Sequence, residues 1–160
     1  MSAFLDRFRG EQTDWKSGRP IWTTLAPLRY RSAHLGKTII IPAEMVTDLA
    51  SVPRLPLLWL AAGGRGIRSA TVHDFAYMFG FWWIARRDRW YKGTCTRAMA
   101  DRVFYESLLA DPISGTGRIR AWQMYQAVRL GGRGVWGNED RKIAMNPIWS
   151  SGAWETPESP

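Results

Sequence analysis

Cysteine is nearly missing from this 160-residue chain: Cys95 stands alone, which excludes an intramolecular disulfide and a cysteine-based zinc site. Long apolar runs are missing too. No stretch approaches the roughly 18 uncharged apolar residues of a membrane-spanning helix, and Asp6, Arg7 and Arg9 interrupt the N-terminus before a signal-peptide core can form. Folding in a reducing cytoplasm, without secretion by the usual route, is the expectation. Lysine is scarce, supplying four of the 22 basic residues, and no internal repeat is visible.

What is present departs from average in two ways. Ten tryptophans are spread over the chain, and arginine dominates a net charge of +8. Both residue types offer large contact area with a polar handle, which suits binding surfaces. The charge favours an anionic counterpart: nucleic acid, a lipid surface or an acidic protein. The apolar fraction of 46% and the length are those of one globular domain that needs no staple.

The pattern predicts an α+β fold, a small antiparallel sheet or hairpins followed by about three helices. Residues 1–20 read as a short strand or loop. Pro27 breaks Ile21–Arg31 into an edge strand or two short pieces, and Leu28, Tyr30 and Ser32 alternate with Arg29 and Arg31. Thr38–Ile41 is the clearest strand, reached through a turn at His34–Lys37 and ended by Pro42. Thr47–Arg54 reads as a strand end running into a turn, with Asp48 and Ser51 able to bond to nearby backbone. Pro56–Leu60 allows a short apolar helix, and the Gly63–Gly66 cluster a connector.

A first long helix, capped by Arg68 or Ser69, runs to about Gly80. Thr96 caps a second whose apolar stripe is Ala100, Val103, Phe104, Ser107 and Leu108. Asp101 falls on the border of that stripe, with Arg97 one turn earlier as a surface ion-pair partner. A third helix spans Arg118–Leu130, with Ile119, Trp122, Met124, Tyr125 and Val128 as its apolar faces, and Gly131-Gly132 ends it. We take residues 1–132 as the α+β domain and 133–160 as an irregular Trp-, Pro- and Gly-rich tail that docks on a partner.

Two regions carry candidate function. Phe79–Gly93 is the most aromatic and basic stretch and has no clean period; Trp82, Trp83, Arg86, Arg87 and Trp90, together with Trp149 and Trp154 of the tail, are its candidate binding residues. The helix around His73-Asp74-Phe75-Ala76-Tyr77 is the other. His73 and Tyr77 share one face, and a His-Asp pair sets a proton-transfer group beside an anionic or metal-ligating one. The same dipeptide also suits a hydrogen-bonded structural pair.

Thr47-Asp48-Leu49-Ala50-Ser51-Val52-Pro53-Arg54, His73-Asp74-Phe75-Ala76-Tyr77 and Arg97-Ala98-Met99-Ala100-Asp101-Arg102-Val103-Phe104, in that order, resemble a phage- and prophage-associated family known as domain of unknown function 1353. Met124–Gly131 resembles its closing helix, so the likeness covers roughly residues 22–132. It implies a tailed-phage virion component associated with tail, neck or baseplate, made in the host cytoplasm and assembled with other phage structural proteins, and it implies no assigned activity. A second, local likeness is to the His-Asp helix pair of phospholipase A2. It implies His73 as general base, Asp101 as its orienting group, Tyr77 in support, and Asp74 as ligand of a divalent metal such as calcium. Asp48 is a second candidate carboxylate for such a site. An envelope-degrading hydrolase is therefore the alternative to a structural or attachment protein, and nucleic-acid binding stands third.

Overall fold

Alternation builds the main sheet. In the strand Leu28–Ser32 (β4), Leu28, Tyr30 and Ser32 are buried while Arg29 and Arg31 face solvent. It pairs antiparallel with Lys37–Ile41 (β5), setting Tyr30 opposite Ile39 and Leu28 opposite Ile41. All four side chains are essentially inaccessible, and burying groups of this kind contributes about 1.5–3 kcal/mol each.

A computed structural model describes residues 1–16, 19–48, 66–87, 89–113 and 115–137. Around β4 and β5 the strands Ala3–Phe4 (β1), Phe81–Arg86 (β7) and Arg89–Thr94 (β8) complete a five-stranded antiparallel sheet in the order β1-β4-β5-β7-β8. A second sheet, in the order β2-β3-β6, joins Gly10–Lys16 (β2), Arg19–Thr24 (β3) and Val46–Thr47 (β6). Thr24 links it to the loop after β5: its hydroxyl donates to the Pro42 carbonyl and accepts from the Met45 N–H, each at 2.9 Å. Among the described residues three helices follow the first six strands: Ile67–Phe79 (α1), Arg97–Ala110 (α2) and Arg118–Gly131 (α3), which runs into a 3-10 turn at Gly132–Gly134.

The fold class is the one read from the sequence, with differences in detail. The β7–β8 hairpin lies between α1 and α2 and belongs to the main sheet. Residues 1–16 supply two strands, and β3 and β4 are the two pieces flanking Pro27. Helix α1 starts at Ile67 after Gly66, with no side-chain cap. Gly80 closes it at φ +71°, a left-handed conformation open to glycine, and donates its N–H to the Ala76 carbonyl. Helix α2 begins as expected, the Thr96 hydroxyl accepting from the Met99 N–H. On α3 the apolar assignment fails in part: Ile119 and Trp122 face solvent, and Ala121, Met124 and Val128 form the inner face. The Pro56–Leu60 helix, the turn beyond Asp48 and most of the Gly63–Gly66 cluster lie outside the described residues. Beyond residue 132 the chain stays on the domain through Trp136, whose ring meets Tyr77 edge-on at 5.1 Å between centroids.

The N-terminal segment is tied to α2 by one carboxylate. Glu106 accepts from the hydroxyls of Ser2 and Ser32, each at 2.6 Å, and from the His34 N–H at 2.8 Å. Burial alone would raise its pKa, but these donors outweigh burial and hold it below the ordinary glutamate value. A carboxylate depressed in the folded state contributes stability that is full above its unfolded pKa and is lost as pH falls through the folded one. Glu106→Gln is therefore expected to cost about 1.5–3 kcal/mol at neutral pH and to flatten the loss of thermal stability below about pH 4. Melting curves of both proteins down the acid range check this, and parallel pH profiles would refute it.

Candidate functional site

Helix α1 is the hub on which the candidate site rests. Eleven of its 13 residues, Arg68 to Met78, are buried, so it has no solvent face and its polar side chains need internal partners. Several project to different neighbours. Arg68 pairs with Asp111 at the end of α2, Asp74 accepts from the Thr47 hydroxyl of β6 at 2.5 Å, and His73 reaches Asp101 on α2. Thus the three segments singled out in the sequence meet on one helix.

His73, Tyr77 and Asp101 are each fully buried. His73 Nε2 lies 3.1 Å from Asp101 Oδ1, and the Tyr77 hydroxyl donates to the same oxygen at 2.5 Å. The other oxygen accepts from Arg129 of α3 at 3.1 Å, with Arg97 at 3.9 Å. Arg97 in turn donates to the Arg129 carbonyl at 3.0 Å, which fixes the end of α3. Burial would raise the Asp101 pKa; the hydrogen bonds from His73 and Tyr77, the His73 charge interaction and Arg129 outweigh it and hold the carboxyl below its ordinary value. For Tyr77 burial comes first and Asp101 second, and both push its pKa well up, so it stays a neutral donor.

An ionised Asp101 can only accept, so His73 Nε2 carries a proton toward it. That leaves Nδ1, a buried nitrogen with no hydrogen-bond partner among the described residues. The imidazole is flanked by Tyr77 and Phe104 at centroid distances of 4.1 and 4.7 Å. Gly132 lies close against Tyr77; a Cβ there would collide with the phenol oxygen.

The remaining candidates divide. Asp48 is half-buried at the end of the described β6 segment. Among the described residues no three histidine, cysteine, aspartate or glutamate side chains come together as a metal would require. Trp82 and Trp83 are not surface binders: both are buried in β7. The Trp82 indole N–H donates to the Val72 carbonyl of α1 at 3.0 Å, so its polar handle is already used inside. Trp90 is half-buried against the core, while Arg86 and Arg87 are exposed. Trp149 and Trp154 lie outside the described residues. Sequence reasoning gives no site role to Arg129, Arg68, Asp111 or Thr47. Arg129 in a last helical turn reads as ordinary dipole compensation, and only the length-wise pairing of α2 with α3 reveals its buried partner.

Fold and site together define an α+β domain organised on a buried helix with a His-Asp-Tyr-Arg network. The chain belongs to the family described as protein of unknown function (DUF1353), whose model matches residues 22–128. No curated protein and no solved structure matches it significantly.

Proposed function

We propose that the chain is a structural or attachment component of a tailed-phage virion, associated with tail, neck or baseplate and assembled with other phage proteins. The observation that carries this reading is the outer strand of the β7–β8 hairpin, where Arg89, Tyr91, Lys92 and Thr94 are exposed beside Arg86 and Arg87. A basic, aromatic strand held on a rigid sheet suits docking. The buried network fits the same reading, because it ties β6, α1, α2 and α3 together through side chains that are themselves buried. The test is detection of the chain in purified particles by mass spectrometry, with Arg86→Glu/Arg87→Glu expected to fold normally and be depleted from them. Its absence from wild-type particles would overturn the reading.

One observation favours a second reading, an envelope-degrading hydrolase: the buried Nδ1 of His73 has no hydrogen-bond partner among the described residues. Asp101 fixes the ring so that this nitrogen would be the base that takes a proton from water. Full burial of His73 weighs against it. Hydrolysis of phospholipid vesicles or peptidoglycan by wild type, lost in a folded His73→Ala variant, would establish this function.

A further inference from the structure

Among the described residues β8 is the last strand of the main sheet, with β7 as its strand neighbour. The Cys95 N–H donates to the Gly80 carbonyl at 3.2 Å, which sets the phase of the ladder. In the antiparallel register that pairs Phe81 with Thr94 and Arg86 with Arg89, the backbone groups of Arg89, Tyr91 and Gly93 point at β7. Those of Trp90, Lys92 and Thr94 point off the sheet. They present the alternating donors and acceptors to which an extended chain can add.

The chemistry around this edge is one-sided. Of the five charged residues from 86 to 92, four are basic and Asp88 is the exception. Both faces of the edge carry a cation. On one face Lys37 stands over the Tyr91 ring at 5.7 Å. On the other Lys92 stands over Phe81 at 5.1 Å. Beside Tyr91 runs a groove of about 360 Å³ of mixed polar and apolar lining, formed by Leu35, Lys37, Ile84, Tyr91, Thr94 and Met99 among others. Pairing of β8 with β8 of a second copy would set these arginines and lysines against one another, which is destabilising. The same charges select an acidic strand.

Resting on the attachment reading, we infer that β8 is the docking edge for an extended acidic segment of a partner protein, which joins the main sheet as a sixth strand. Its alternate side chains fall beside Lys37 and the groove on one face and beside Lys92 on the other.

The probe is the peptide acetyl-(Glu-Val) repeated four times, titrated against the full chain by calorimetry, beside a copy with lysine for glutamate and a copy N-methylated at alternate residues. Saturable binding is expected for the acidic peptide alone. Lys37→Glu/Lys92→Glu should weaken it by about tenfold or more, and added salt should weaken it too. Thr94→Pro, which removes an outward N–H from an exposed position without touching the β7 ladder, should abolish it in a protein with an unchanged circular dichroism spectrum. If that variant misfolds, the N-methylated peptide still decides the matter. No binding, equal binding by the lysine or N-methylated peptide, or preferential binding of a thymidine oligonucleotide that Thr94→Pro leaves intact would overturn the inference. Presence in particles without peptide binding would leave the attachment reading standing and this docking mode refuted; peptide binding by a chain missing from particles would do the reverse.

Discussion

Asp101→Ala is expected to destabilise the protein by about 3–5 kcal/mol, because it strands charge in a buried site and leaves a void. Asp101 itself has no solvent exposure. Its loss would leave the Arg129 guanidinium facing an apolar gap and the Tyr77 hydroxyl and His73 Nε2 without their acceptor. For a chain of this size that corresponds to a fall in melting temperature of about 2–4 °C per kcal/mol. Arg129→Met should cost clearly less, since Arg129 is 34% exposed and part of its charge is already hydrated. His73→Phe separates the two functional readings. It removes the buried unpartnered nitrogen and keeps a ring between Tyr77 and Phe104. It also takes the Nε2 donor from the buried Asp101 carboxylate, so it should cost about 1.5–3 kcal/mol, and it would abolish any hydrolysis. Urea titration of the three variants checks the order, and an Asp101→Ala protein as stable as wild type would refute it.

The parts of this molecule legible in the sequence are those with one wet face. β4 announces itself by alternation because Arg29 and Arg31 are exposed, and α2 by a stripe and a threonine cap. The β7 strand gives no period-2 signal because Trp82, Trp83 and Ile84 are all buried, on both faces of the sheet. Helix α1 gives no stripe for the same reason: it is enclosed on every side, and its polar residues serve neighbours far away in sequence. Spacing alone puts Asp101 at a stripe border with a surface partner in Arg97. In the fold α3 closes over that border, and the nearer cation is Arg129. Local spacing carries the candidates His73, Tyr77 and Asp101, and only tertiary packing supplies the cations and the seal that decide what they can do.

The same logic gives the second large effect, at the other buried ion pair. Arg68, in the first turn of α1, donates to Asp111 through Nε at 3.1 Å and through a terminal nitrogen as well. The two side chains are 7% and 2% exposed. Arg68 also donates to the Asp6 carbonyl at 3.1 Å and stacks over the Phe4 ring at 4.6 Å, so it holds β1 and the segment after it against the α1–α2 pair. Asp111 accepts from the Ile113 N–H at 2.9 Å, which shapes the turn leaving α2. Asp111→Ala leaves a guanidinium buried without its counter-charge and is expected to cost about 3–5 kcal/mol. Arg68→Met/Asp111→Ala removes the stranded cation and fills part of its volume with apolar atoms, so the double variant should be more stable than Asp111→Ala alone. That positive coupling, measured in a double-mutant cycle, distinguishes a buried charge penalty from the loss of a turn contact. If the double variant is weaker than Asp111→Ala by the full cost of Arg68→Met, the pair contributes through its separate contacts with Phe4, Asp6 and Ile113 and not through its charges.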